Sequence, residues 1–325
     1  MKKYAMKLRP VSKEILWGGT RLKDEYGKTA PFEKIAESWE LTVRENEMCV
    51  IDNGEYAGMP LGAYLALNPK ETMGSACLKY DRFPLLIKFI DAADRLSIQV
   101  HPDNEYALEH EGELGKTEMW YIMAAEPGAR LVYGLREGCS LDNFARAVEE
   151  GRTEEELGFL DVHAGEVYFI PSGQVHAIGA GILIAEIQQN SNITYRVYDY
   201  GRLGTDGKPR QLHTAKALDV IKLRTRDEID AIRFAVPDSA SDCELLCSCE
   251  YFTSRKYVTE PGSVAVLNVD DTSFASLLIL NADDALLTTQ EEVIPLHRGD
   301  SLFLPAGSGE VTVSGGAEVI LSKVN

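Results

Sequence analysis

The chain has 325 residues, of which 45% are hydrophobic and 26% are charged, and its formal net charge is −18. This composition is typical of a globular protein with one large or two modest domains. The negative charge disfavours binding to nucleic acid or to an anionic membrane, although a few local cations can still form a pocket for an anionic substrate. The apolar runs are too short for a signal peptide or a membrane span, and the six cysteines form no CxxC pair. We therefore expect a cytoplasmic protein with reduced thiols.

The first 75 residues combine short strands with helical segments, and the following residues are rich in strands. Residues 38–43 predict a strand and residues 61–67 a helix. Residues 85–90 and 96–101 predict two strands joined by a turn. Because side chains alternate along a strand, Ser97, Gln99 and His101 are expected to share one face of the second strand.

Further along the chain, helical segments interrupt the β pattern. Another strand begins at Glu118, whereas a capping serine and helical spacing predict a helical insertion near residues 140–158. A second helix is predicted over residues 214–221. Residues 233–242 have no regular strand or helix pattern, which favours a domain boundary there. This boundary divides the chain into residues 1–238 and residues 239–325.

A weak internal repeat indicates the architecture. The segment GEVYFIPSG (165–173) matches GDSLFLPAG (299–307), and each reads as a turn, an apolar strand and a Pro-x-Gly turn. The pattern resembles the second motif of the cupin superfamily. His176 after the first copy corresponds to Glu310 after the second, so the cupin metal-binding histidine is absent from the C-terminal copy. We expect a mostly β protein with two cupin-like double-stranded β-barrels (jelly-roll), the first with a metal and a helical insertion, the second structural.

Two histidines, a glutamate and a glutamine supply candidate metal ligands. Gln99 and His101 lie at the end of one predicted strand, Glu118 begins another, and His176 follows the Pro-x-Gly turn. These are donors that zinc accepts when one coordination position stays open for water or substrate. The ends of separate strands can converge at the mouth of a barrel, which favours a site over isolated histidines. The remaining histidines lack such a context: His110, His163, His213 and His297.

Several motifs together resemble one enzyme family. LSIQVHPD, GKTEMWYIM, FIPSGQVHAIG and ILIAEIQQNSNITYRVYDYGR occur in the order found in type I mannose-6-phosphate isomerases of the short bacterial form, and ILWGGTRL and AESWELT are similar to that family's opening segments. The resemblance implies one Zn²⁺ per chain, held by Gln99, His101, Glu118 and His176. It implies catalytic roles for Arg196, Glu186 and Lys116. It implies a substrate-binding set of Ser97, Lys116, Arg196 and Arg202, although Arg202 only takes the place of a lysine found in longer relatives.

The same resemblance implies the reaction. D-mannose 6-phosphate and D-fructose 6-phosphate would interconvert by proton transfer through a cis-enediol, with Glu186 or a zinc-bound hydroxide as the base. The partner is then a phosphorylated sugar, with neither nucleic acid nor membrane, and the sequence does not give the oligomeric state. Two alternatives remain open: a metal-dependent cupin dioxygenase that uses iron at the same donors, and a sugar-phosphate-binding cupin without catalysis.

Overall fold

The computed structural model of the protein describes residues 3–204 and 207–325. Short elements make up the N-terminal part. They are β1 (Met6–Arg9), β2 (Val11–Lys13), α1 (Arg21–Asp24), β3 (Glu37–Leu41), β4 (Val43–Arg44), β5 (Glu47–Met48), β6 (Val50–Ile51), α2 (Leu61–Leu65), α3 (Pro69–Met73) and a 3₁₀ helix (Ser75–Lys79).

The central part is rich in strands, as expected from its alternating and apolar segments. Its elements are β7 (Leu85–Ala92), β8 (Ile98–Val100), α4 (Asn104–Glu111), β9 (Glu118–Ala125), β10 (Arg130–Leu135), α5 (Leu141–Glu149), a 3₁₀ helix (Thr153–Glu156), β11 (Leu157–Asp161), β12 (Val167–Ile170), β13 (His176–Ile178), β14 (Ile182–Gln189) and β15 (Tyr195–Tyr198).

Two helices connect this part to a C-terminal β region. The elements are α6 (Thr214–Val220), α7 (Arg226–Arg233), β16 (Glu244–Ser248), β17 (Phe252–Thr259), β18 (Val264–Val269), β19 (Ala275–Thr288), β20 (Val293–Pro295), β21 (Ser301–Leu304) and β22 (Gly309–Val324). Within the described residues, no helix is both long and apolar enough to cross a membrane.

The predicted helical insertion is confirmed, and its cap is the expected serine. Ser140 accepts a hydrogen bond from the backbone N–H of Asn143 at the start of α5. The helix α7 was not predicted, although the sequence contains the Thr-x-x-Glu pattern of a capping box at residues 225–228. Thr225 and Glu228 exchange side-chain and backbone hydrogen bonds there.

Three sheets stack in layers, and the middle layer is covered on both faces. The six-stranded sheet has the order β12-β9-β14-β7-β3-β2, and the five-stranded sheet has the order β11-β10-β13-β8-β15. Every residue of β7 and β14 is buried. Leu85, Ile87 and Phe89 pack in a core shared with the C-terminal strands, whereas Ile90 packs in a core shared with the five-stranded sheet. The six-stranded sheet therefore lies between the other two.

The C-terminal sheet also takes strands from the chain's beginning. β1 pairs with β21 on one side and with β6 on the other. These N-terminal strands belong to the same nine-stranded sheet as β16–β22. The boundary between residues 238 and 239 stays a prediction, because a cut there would separate β1 and β6 from the sheet that they complete.

Both copies of the internal repeat adopt one conformation. Each consists of a glycine at positive φ, a short strand (β12 or β21) and a proline turn ending in a second glycine at positive φ. The first glycines, Gly165 and Gly299, have φ values of 91° and 89°. Glycine adopts this backbone conformation without strain, which explains its presence at equivalent places.

A buried ion pair joins the six-stranded sheet to the C-terminal sheet. Lys28 Nζ lies 2.7 Å from Glu40 Oε2 and also donates to the carbonyl of Gly299. Ser301 Oγ donates to the Glu40 carbonyl at 2.9 Å. Burial raises the pKa of Glu40, and the Lys28 ammonium opposes that rise. The Glu40 carboxylate, at the seam between the six-stranded sheet and the C-terminal sheet, is therefore stabilised in its charged form by Lys28.

We expect Lys28→Met to lower the free energy of unfolding by about 3–5 kcal/mol, because it leaves a buried carboxylate without its cation. Urea unfolding followed by circular dichroism measures the change. A suitable control is Lys216→Met, which breaks a more exposed ion pair with Glu111 and should cost about 1 kcal/mol or less. Equal losses in the two variants would contradict a special role for the seam.

Candidate active site

The sheet register places the predicted site residues on facing strands. In the five-stranded sheet, Gln99 pairs with His176 on one side and with Arg196 on the other. In the six-stranded sheet, Glu186 pairs with Lys88 on one side and with Trp120 on the other. Directly paired residues point to the same face of a sheet, so each set forms one row of side chains.

His101, Glu118 and His176 come together as one buried group whose candidate ligand atoms all lie within 4.8 Å of one another. The Nε2 atoms of His101 and His176 are 3.1 Å apart. Glu118 Oε1 is 3.4 Å from His176 Nε2, and Glu118 Oε2 is 3.8 Å from His101 Nε2. The three side chains are almost fully buried.

The hydrogen bonds of this group fit a bound cation. His101 Nδ1 lies 2.8 Å from the carbonyl of Ile193, and His176 Nδ1 lies 2.8 Å from the carbonyl of Gln174. A carbonyl only accepts, so each Nδ1 carries the proton and each Nε2 presents a lone pair. Burial also lowers the pKa of both imidazoles, which favours their neutral form. Within residues 3–204 and 207–325, the buried Glu118 Oε1 has no hydrogen-bond partner. Two imidazole lone pairs that face each other beside this oxygen are an arrangement suited to a metal ion.

A row of alternating charges continues from the His101–Glu118–His176 group. Lys116 Nζ is 2.8 Å from Glu118 Oε2 and 3.9 Å from Glu186 Oε1. Lys88 Nζ is 2.9 Å from Glu186 Oε1. Trp120 Nε1 donates to Glu186 Oε2 at 3.0 Å. The two glutamates thus share two ammonium groups inside the protein.

The two buried carboxyl groups have opposite electrostatic environments. Burial raises the pKa of Glu118, and the neighbouring charge of Glu186 adds to that effect. Burial also acts on Glu186, but the ammonium groups of Lys116 and Lys88 together outweigh it and lower the pKa of Glu186. Glu186 is therefore an ionised acceptor, and Glu118 is the carboxyl that gains more from a nearby cation.

A cavity of about 150 Å³ opens beside these residues. Its lining includes the predicted residues Ser97, Gln99, Lys116, Glu186 and Arg196, together with Glu37, Lys88, Asn192, Thr194 and Arg210. Arg196 Nε donates to Ser97 Oγ at 3.2 Å, and Arg196 Nη1 donates to the Gln211 carbonyl at 2.9 Å. These bonds fix the guanidinium at the cavity wall.

Arg202 lies outside this lining. Its guanidinium donates to Asp199 Oδ1 at 2.7 Å and to the Arg95 carbonyl. Arg210 binds the same Asp199 carboxylate, at 2.7 Å from Nε to Oδ2, and does line the cavity. Of the two arginines that bind Asp199, Arg210 is the one that lines the cavity. The sequence analysis had selected Arg202 instead.

Lys88 and Glu37 were also missed. Lys88 is the single charged residue in the segment LLIKFI, and it is 4% exposed. A lysine in a strand buried on both faces needs a charged partner, and that requirement was the available signal. Its second partner is Glu37, whose Oε2 lies 3.7 Å from Lys88 Nζ and accepts a hydrogen bond from Trp39 Nε1.

Comparison with known proteins shows which sequence family the chain resembles. Residues 5–123 match the catalytic domain of type I phosphomannose isomerase, and residues 242–324 match the cupin domain of mannose-6-phosphate isomerase. The chain is 38% identical to mannose-6-phosphate isomerase ManA of Bacillus subtilis (strain 168), over 97% of both chains. It is 38% identical to the mannose-6-phosphate isomerase of Streptococcus mutans, over 95% of both.

A solved structure also covers almost the whole chain. The crystal structure of the mannose 6-phosphate isomerase from Bacillus subtilis superposes with a TM-score of 0.85 at 34% identity, covering 99% of each chain. The expected fold class, mostly β with a cupin architecture, is thereby confirmed. The full-length relatives, the family matches at both ends and the shared fold show that the chain belongs to the type I mannose-6-phosphate isomerase family.

Proposed function

We propose that the protein interconverts D-mannose 6-phosphate and D-fructose 6-phosphate through a cis-enediol. The observation that carries the proposal is the buried row in which a His–Glu–His group adjoins the Lys116–Glu186–Lys88 charges in one cavity. Relatives that align over nearly the whole chain bear the name of this enzyme. An aldose–ketose isomerase needs an acceptor for a carbon-bound proton and positive charge near the reacting oxygens, and the row offers both.

The metal in this proposal is one Zn²⁺ per chain, with His101, Glu118 and His176 as ligands and Gln99 as the fourth. The neutral imidazoles, with both Nδ1 atoms bound to carbonyls, support this set because such outer bonds orient metal-binding histidines. When bound, the ion would supply Lewis-acid stabilisation of oxygens that become negative during the reaction.

Glu186 is the proposed base. Its Oε2 is held by Trp120 and its Oε1 by Lys88, so the carboxylate has a fixed orientation. It would remove the proton from C2 of the open-chain aldose and return it at C1. A positioned base typically contributes about 10²–10⁴-fold to the rate. A lowered pKa keeps this group ionised but limits its basicity, and the two lysines set that balance.

The cations supply substrate binding. Arg196, fixed by Ser97, and Lys116 would contact the sugar phosphate, and Arg196 would place positive charge near the oxygen of the developing enediolate. Arginine matches the geometry of a phosphate, and Arg210 at the same wall is a further phosphate ligand in this proposal. Arg202 stays a prediction as a direct ligand; its bond to Asp199 supports a role in placing Arg210.

A coupled assay tests the reaction. The purified protein receives mannose 6-phosphate, and fructose 6-phosphate formation is followed before chelation, after chelation and after zinc is returned. We expect turnover that chelation removes and zinc restores. Absence of turnover with every divalent metal would reject the isomerase. Oxygen uptake with ferrous iron would then favour the dioxygenase, and tight binding without turnover would favour the sugar-phosphate-binding cupin.

Replacing His176 tests the metal site separately from the reaction. We expect His176→Ala to reduce bound zinc from about one per chain to near zero and to abolish turnover, because the variant loses a direct ligand. Elemental analysis and circular dichroism measure metal content and folding. His163→Ala, at an exposed histidine, is the matched control and should keep both metal and turnover. A fully active, metal-free His176→Ala protein would contradict the site.

Lys88 offers a test of the proposed base through pH. Its ammonium lowers the pKa of Glu186, so Lys88→Met should raise that pKa and move the acid limb of the kcat profile to higher pH. Lys88→Arg keeps the charge and should leave the acid limb near its original position. An unchanged acid limb in Lys88→Met would mean that a group other than Glu186 controls it.

A further inference from the structure

A second and larger cavity lies on the other side of the turn that carries His176. Its volume is about 510 Å³, within the range of small-molecule sites. The wall is formed by the end of β10 and the segment after it, by the residues around Gln174, and by the segment that joins α6 to α7. We call this cavity the rear cleft. The lining of the catalytic cavity shares no residue with it.

The lining of the rear cleft carries four cations, three of which form ion pairs with carboxylates. Its lining includes four cations, Arg136, Lys222, Arg224 and Arg226, and two acidic residues, Glu137 and Glu228, whereas the whole chain has a net charge of −18. The Glu228 carboxylate is already bound to Thr225 in the capping box of α7.

Arg224 is the least neutralised of these cations. In the described parts of the chain, no carboxylate lies within ion-pair distance of its guanidinium. The other three cations pair with carboxylates: Arg136 with Glu156, Lys222 with Asp103, and Arg226 with Asp230. Arg224 Nη1 donates to the Ser172 carbonyl at 2.9 Å, which orients the group and leaves other N–H donors available. Burial lowers the pKa of Arg224, and the more distant charges of Glu228 and Asp103 oppose that effect only in part.

Gln174 provides a second hydrogen-bonding group in the wall of the rear cleft. It is only 4% exposed, and its side-chain amide has no hydrogen-bond partner among residues 3–204 and 207–325. The amide is not among the fully buried polar groups that lack a partner, so its polar atoms reach the open space of the cleft and stay available to a ligand. Gly134, at φ 83°, leaves room for the amide, since a Cβ built there would lie 2.9 Å from Gln174 Nε2. The amide thus has space and lacks a partner.

The floor of the rear cleft is rigid because its backbone groups are already bonded. The carbonyls of Ser172, Gly173 and Gln174 accept from Arg224, from the Lys222 backbone N–H and from His176 Nδ1. The Gly173 N–H donates to the His101 carbonyl at 2.8 Å. The groups that remain for a ligand are the Arg224 N–H groups and the Gln174 amide, together with the exposed Glu137 carboxylate as an acceptor.

We propose that the rear cleft binds a small phosphate-bearing anion, at a site separate from the catalytic cavity. A guanidinium and an amide N–H are suitable donors for phosphate oxygens, and a cavity of about 510 Å³ has room for the rest of a phosphate monoester. The site goes beyond the proposed isomerase reaction and does not depend on it.

The test uses inorganic phosphate as the probe. Calorimetric titration at constant ionic strength is performed on the wild type, Arg224→Gln, Gln174→Glu and, as a control, Arg82→Gln, which changes an exposed arginine outside the cleft. A crystal structure of the wild type with phosphate locates the ion. We expect density within hydrogen-bond distance of Arg224 and Gln174, and a binding event that Arg224→Gln and Gln174→Glu each weaken about tenfold or more. Arg82→Gln should leave that event unchanged.

Two results would overturn the proposal. One is the absence of phosphate from the rear cleft, with titrations that Arg224→Gln does not alter. The other is density in the crystal without any binding in solution that depends on Arg224, which would indicate an adventitious ion only. Circular dichroism shows whether each variant is folded, and Arg224→Gln replaces a partly exposed side chain and should fold normally. No isomerase assay enters the test, so its result is independent of the proposed reaction.

Discussion

The structure depends on the mutual neutralisation of charges that are buried between two layers of protein. Lys88, Lys116, Glu118 and Glu186 are each at most 6% exposed, in strands or at strand ends of the central sheet. Removing such charges from water is unfavourable unless opposite charges meet at close range. The strand register of β14 and β7 brings opposite charges together, because Glu186 is directly paired with Lys88. A slip by one residue would turn these side chains toward the apolar core behind the sheet, so the charges also specify the pairing of the strands.

The C-terminal sheet contributes by covering the other face of the same layer. Its repeat copy keeps the strand and the turn of the first copy, but it has Glu310 where the first copy has His176, and Glu310 is exposed. The copy therefore retains the architecture without the metal-binding donors. Its apolar residues share a core with Leu85, Ile87 and Phe89, which lie back-to-back with the site. The His101–Glu118–His176 group therefore lies beside one copy of the β pattern, and the other copy packs behind the sheet that carries Glu118.

Sequence reasoning recovered what is encoded locally. His101, Glu118 and His176 occur in short motifs, and the structure brings them together. Strands and the helical insertion follow from alternation and from the Ser140 cap. The pairing of β1 with β21 spans nearly the whole chain and leaves no local pattern. Long-range contacts of this kind are the ones that periodicity cannot predict.

The missed residues have the same physical origin. Lys88 looks like an interruption of an apolar strand until its partners Glu186 and Glu37 are known. Arg202 and Arg210 both bind Asp199, and only three-dimensional placement shows which of them lines the catalytic cavity. The sequence shows that both arginines are present. Which of them lines the cavity depends on the three-dimensional path of the chain around Asp199.

The turn from Ser172 to Gln174 is bonded both to a residue of the rear cleft and to the histidines of the candidate metal site. Its carbonyls hold Arg224 on one side and His176 on the other, and one of its N–H groups holds the strand end that carries His101. Any ion that tightens this turn from one side reduces the conformational freedom left to the other side. If the histidine pair binds a metal and the rear cleft binds an anion, thermodynamic linkage requires that each ligand change the affinity for the other by the same factor.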